Sequence, residues 1–173
     1  MAVNEVFWLD DRGSANLEAS NGERWRLVTD NVMGGVSDGN LTVDTVDDRA
    51  CLRMTGEVKL DNNGGFIQMA LDLSPEEIDG IDSYKGIAFS AWGNDETYNI
   101  HLRTSNLWLP WQSYRATFDA SPEWREIKIP FHEFIGYRLS KPFKITKLKR
   151  VGMVAIGRAF DADLCVGKIG LYR

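Results

Sequence analysis

ACLRMTGEVKL, residues 50–60, alternates along its whole length. Leu52, Met54, Val58 and Leu60 fall on one side of an extended chain, and Arg53, Thr55, Glu57 and Lys59 on the other. A period of two marks an antiparallel strand with one buried and one wet face. The same reading extends outward. GFIQMALDL (65–73) places Ile67, Met69, Leu71 and Leu73 on one face. KGIAFSAWG (85–93), TYNIHLRTS (97–105), SYRATFD (113–119), EWREIKIPF (123–131), KRVGMVAIG (149–157) and LCVGKIGLYR (164–173) read as further short strands. Turn signals separate them at Asn62-Asn63-Gly64-Gly65, Gly93-Asn94-Asp95 and Ser121-Pro122. Helix is scarce. SPEEI (74–78) offers Ser74 as N-cap, Pro75 at the first helical position and Glu77 closing a capping box, and PFHEF (130–134) offers a single turn. Many short strands with almost no helix predict an all-β protein, an antiparallel β-sandwich or barrel.

Bulk composition narrows function. The 173 residues suit one domain, spanning 1–173, with a core large enough to need no disulfide staples. A net charge of −5 argues against nucleic acid and against anionic lipid, both of which require a basic face. The two cysteines, Cys51 and Cys165, lie far apart in apolar strands and read as buried free thiols. The acidic start MAVNEVFWLDD is no secretory signal, and no apolar run reaches the length of a membrane span. A reducing, cytoplasmic setting is the expectation, without membrane insertion.

The loop TDNVMGGVSDGN (29–40) is the least ordinary segment. It lacks the Gly-Lys-Ser/Thr ending of a phosphate loop, the βαβ setting of a dinucleotide fingerprint, and the alternating carboxylates of a calcium loop. What remains is backbone chemistry. Gly34 and Gly35 permit positive φ or close approach, Asp30 and Asn31 can bond nearby amides, and Val32 and Met33 can plug the end of a core. The loop reads as a structural corner whose polar rim faces a partner. DNNGGF (61–66), with Asn63, Gly64 and Gly65, reads as a hairpin turn.

Catalysis has little support. Of the two histidines, His101 sits in a strand with Asn99 and Arg103 on the same face. No nucleophile elbow and no metal-spaced histidine pair is present, so no catalytic residue, metal or cofactor is expected. A hydrolase with dispersed carboxylates is the weakest reading. Aromatic residues are more suggestive: SNLWLPWQSY (105–114) carries Trp108, Trp111 and Tyr114 around a proline loop. Exposed Trp faces stack on sugars or anchor a protein; the plain alternative is that these aromatics cover the open end of the sandwich. Trp25 and Trp124, inside strand patterns, read as core. If strands 97–105 and 113–119 pair, Arg103 and Arg115 share a face beside Trp108 and Trp111. That face, with Asn99 and His101 and rimmed by Asp30 and Asn31, is the expected interaction surface; two exposed arginines on a wet sheet are the alternative.

WRLVTDNVMGGVSDGNL (25–41), GEVKLDNNGGF (56–66), YNIHLRTS (98–105), YRATF (114–118), EWREIKIPFHEF (123–134) and VGMVAIG (151–157) together resemble the complex I intermediate-associated protein 30 family over residues 5 to 172. The resemblance implies a galactose-binding-like jelly roll related to some carbohydrate-binding modules. It also implies a non-catalytic binding role, since mitochondrial members assist assembly of respiratory complex I. The chain departs from the family at Ala70, near where an arginine often follows the GGF, and again after PFHEF, where it reads IGYRLSKPF. The implied partner is a protein, a subunit or intermediate of a membrane complex. A carbohydrate ligand is the alternative.

Overall fold

The computed structural model describes residues 6–63 and 65–173, with backbone alone at Val32, Met33 and Asn63. Gly64, and the side chains of Val32, Met33 and Asn63, which the sequence assigns to the loops, therefore lie outside the described residues. Among the described residues twelve strands run β1 (Val6–Asp10), β2 (Arg26–Thr29), β3 (Asp38–Val46), β4 (Arg49–Val58), β5 (Phe66–Asp72), β6 (Gly86–Gly93), β7 (Glu96–Thr104), β8 (Ser113–Ala120), β9 (Arg125–Pro130), β10 (Ile135–Tyr137), β11 (Leu148–Ile156) and β12 (Phe160–Tyr172). The first sheet has the order β3-β4-β12-β6-β9, with β1 also paired to β12. The second has the order β10-β8-β7-β11-β5-β2. The pairings are antiparallel. The two sheets pack face to face as a jelly-roll sandwich.

Alternation built this core. Leu52, Met54 and Val58 of β4, Ile67, Met69 and Leu71 of β5, and Tyr98, Ile100 and Leu102 of β7 are all buried between the sheets. Trp25 is buried with them, its indole N–H donating to Asp10 Oδ2 at 2.7 Å. Burying each large apolar side chain contributes about 1.5–3 kcal/mol, so a continuous two-sheet core of this kind needs no cross-link. Cys51 and Cys165 are free and buried, but on the outer side of the first sheet, out of step with Leu52 and Leu164.

Four expectations are corrected. DNNGGF is not a hairpin turn: β4 lies in the first sheet and β5 in the second, so the segment carries the chain across the sandwich, with Asn62 at φ 57°. The loop 29–40 does the same between β2 and β3. SPEEI makes only a 3-10 turn, Pro75–Glu77, and Ser74 makes no side-chain cap, so the capping box does not form. Trp124 is half-buried rather than core. Its indole N–H donates to Val46 O at 2.8 Å and its ring lies against β12 at Gly167, where the missing side chain leaves a flat seat. Leu60 lies past the end of β4 and is half exposed. Among the described residues no helix is long and apolar enough to cross a membrane.

Candidate functional site

The loop after β2 is a knot tied on one carboxylate. Asp30 has no exposed surface. Its Oδ1 accepts from the Ser37 amide at 2.9 Å. Its Oδ2 accepts from Ser37 Oγ at 2.5 Å, the Gly65 amide at 2.5 Å and the Phe66 amide at 3.2 Å. Burial alone pushes this carboxyl up. The hydrogen bonds from Ser37, Gly65 and Phe66 more than offset that, and the group sits below the usual carboxylate range. Both glycine-rich loops thus converge on Asp30. Gly34 holds φ 85°, while Gly35 is required for space, since a Cβ there would meet Asp30 Oδ1 at 2.5 Å. Asn31 donates through Nδ2 to Ser37 O at 3.2 Å. Asp30 and Asn31 therefore hold the loop and do not line the face that the sequence expected them to rim. Through Gly65 and Phe66 the knot braces one wall of the cleft.

That cleft, about 560 Å³, lies on the outer face of the second sheet. Strand alternation delivers its floor. With Tyr98, Ile100 and Leu102 buried, β7 turns His101 and Arg103 outward; with Tyr114 and Phe118 buried, β8 turns out Ser113 and Arg115. Register sets the neighbours: His101 faces Arg115 on β8 and Gly152 on β11, and Gly152 faces Ala70 on β5. Gly152 and Ala70 leave the middle of the floor low, and Gln68 occupies the space a Cβ on Gly152 would take. One row along, Arg150 of β11 lies between Arg103 and Asp72. Val28, Leu60, Phe66, Val154 and Ile156 provide apolar wall.

Arg115 is held on three sides. Its Nε donates to Ser113 Oγ at 2.8 Å, its Nη2 donates to Trp111 O at 3.2 Å, and its guanidinium lies 3.7 Å from the Tyr137 ring centroid. Arg103 Nη1 donates to the carbonyls of Leu109 (3.1 Å), Pro110 (3.2 Å) and Gln112 (2.5 Å). It thereby pins the aromatic loop to the sheet. Trp111 is 43% exposed and lines the cleft, whereas Trp108, 87% exposed, stands outside the cleft lining. Tyr114 turns inward, its hydroxyl donating to Lys141 O at 2.9 Å. His101 is buried; burial, then the Arg115 charge, pushes it down to about 3, so the imidazole is neutral. Asn99, its amide 3.4 Å from His101 Nε2, shares a row with Val154 and Gln68 but is not part of the lining.

The fold brings His101, Arg103, Trp111 and Arg115 together and leaves Asp30, Asn31, Asn99 and Trp108 outside the lining. Gln68, Arg150 and Tyr137 belong to the cleft and were missed. Alternation in GFIQMALDL and KRVGMVAIG already turned Gln68 and Arg150 outward, but nothing local said that β5 and β11 lie beside β7. Among the described residues no group of His, Cys, Asp and Glu is arranged to hold a metal ion.

A jelly-roll sandwich with a cleft across one outer sheet face is an architecture also found among solved carbohydrate-binding modules. The family 11 carbohydrate-binding module of a cellulosomal cellulase of Clostridium thermocellum matches with a TM-score of 0.72 at 15% identity, covering 99% of this chain and 96% of that one. The same organism's family 11 module in complex with a β-1,3-1,4-mixed-linked tetrasaccharide matches with 0.74 at 14% identity, covering 99% and 97%. A family 30 carbohydrate-binding module matches with 0.63 at 12% identity, covering 96% and 89%. At such identities the likeness is one of fold. Comparison with curated protein sequences gives no match. The family model of complex I intermediate-associated protein 30 matches residues 15–166, and the chain belongs to that family.

Proposed function

We propose that this protein is a non-catalytic binding module that holds a polypeptide segment of a partner in the cleft of its second sheet, as an assembly factor would. The partner we propose is a subunit or intermediate of a membrane complex, in keeping with the family's name. The observation that carries the reading is the make-up of the cleft. Its apolar lining is mostly aliphatic, at Val28, Leu60, Val154 and Ile156 beside Phe66, and the rest of its floor presents arginines and an amide. Apolar side chains fill such walls, and backbone or polar side chains reach such a floor. One aromatic face on which a sugar ring could stack, that of Tyr137, already carries the Arg115 guanidinium at 3.7 Å.

Carbohydrate is the second reading. It is favoured by Trp111 at the cleft edge and by the likeness to a module solved with a mixed-linked tetrasaccharide. One experiment separates the two. A photo-crosslinking phenylalanine analogue at position 111, expressed in the native host, should yield a discrete protein adduct that Arg115→Ala abolishes. The purified protein should give no calorimetric signal with the mixed-linked tetrasaccharide. Saturable binding of that sugar, with no protein adduct, would overturn the proposal.

A further inference from the structure

We infer that the segment held in the cleft is acidic and presents a carboxylate to Arg103 and Arg115. This rests on the reading of the cleft as a peptide site and adds the chemistry of the occupant. Among the described residues three arginines line the cleft, and no Asp or Glu does. The imbalance is no by-product of a basic chain, since the net charge is −5.

Arg150 has a counter-charge: its Nε donates to Asp72 Oδ1 at 2.8 Å, although Asp72 is shared with Arg26 at 3.1 Å. Among the described residues Arg103 and Arg115 have no carboxylate partner. Their acceptors are backbone carbonyls and one serine hydroxyl. Burial, and then a neighbouring arginine charge, pushes the Arg103 guanidinium below its ordinary range. Arg115 is likewise lowered, chiefly by burial. A partly desolvated cation without a counter-charge costs free energy that a bound anion returns.

Geometry favours the same occupant. His101 faces Arg115 across the β7–β8 ladder, so Arg103, two residues on, is the diagonal neighbour of Arg115 on one face. Such diagonal positions are roughly 7–8 Å apart, within reach of one carboxylate for two long side chains. Both guanidiniums are already held, Arg103 through Nη1 and Arg115 through Nε and Nη2, so little side-chain freedom is lost on binding. Neutral His101 between them adds no competing charge.

The test uses the intact protein and a short blocked peptide alternating leucine with glutamate, against its glutamine counterpart, by calorimetry. Binding should be at least about tenfold tighter for the glutamate peptide, weaken with salt, and lose most of that preference in Arg115→Gln. Because the peptide is varied as well, the result stands even where the protein variant folds poorly. Equal binding of both peptides would overturn the inference while leaving the peptide reading intact. Binding of oligogalacturonate but of neither peptide would overturn the peptide as the source of the anion. Binding of the neutral mixed-linked tetrasaccharide alone would overturn both, and failure of both peptides to bind overturns the inference.

Discussion

Asp30→Asn tests whether the glycine-rich loop is a knot tied on charge. The aspartate accepts four hydrogen bonds and has no exposed surface. Asparagine keeps one acceptor oxygen and replaces the other with a donor. If the amide oxygen takes the Oδ2 position, the new NH2 faces the Ser37 amide, donor against donor, and one buried N–H is orphaned at about 1–3 kcal/mol. The three remaining bonds become neutral, and each loses about 1 kcal/mol. Relief from burying a charge returns part of this, leaving a net loss of about 3 kcal/mol. Urea denaturation at pH 7 measures it. The native carboxyl is held below its unfolded value, so its stabilisation is present above about pH 4 and lost as pH falls through the folded pKa. The asparagine variant should therefore lose less stability on acidification than the parent. A loss under about 1 kcal/mol, with an unchanged acid limb, would refute the idea that this carboxylate organises the loops.

Gly35→Val should cost about 1–3 kcal/mol because any Cβ meets Asp30, and Gly65→Val should cost a similar amount at φ 128°; unchanged melting of both proteins would count against this. Cys51 and Cys165 should react slowly with thiol reagents in native buffer and fast in denaturant; rapid native labelling would contradict their burial. His101 should show no imidazole titration in NMR spectra between pH 7 and 5. With its folded pKa below the unfolded value, its contribution is complete above about pH 6.5 and shrinks as pH falls towards 3. A midpoint near 6 would mean that the ring is solvated.

The sandwich was legible because each strand has one buried and one wet face, and that constraint writes itself as alternation. The same rule, working on spacing alone, turned His101, Arg103 and Arg115 outward together. What stayed hidden depends on pairing across long stretches of chain. Gln68 joins the floor only because β5 lies beside β11, which pairs in turn with β7. Asp30 meets Gly65 and Phe66 only because two sheet crossings end at one place, so its acceptors served the loop and not the rim. Trp124 misled because an indole can seat on the outside of a sheet wherever a strand offers glycine, and periodicity does not distinguish the two faces. Ser74 carried the cap signature, but a single 3-10 turn has too few free amides to reward it.

Strand β12 carries a consequence for how the protein is made. It pairs with β4 and then β1 along one side and with β6 along the other, from Phe160 to Tyr172. It is also the last of the twelve strands to leave the ribosome. Until then β4 and β6 have no central partner. Their apolar faces wait in the nascent chain, that of β4 while more than half of the sequence is translated. Such a delay favours holding chaperones over folding during synthesis, and contacts so distant in sequence close slowly. A ribosome stalled with β12 still in the exit tunnel should present a protease-sensitive chain. Release of that strand should convert it to the resistant form in one cooperative step.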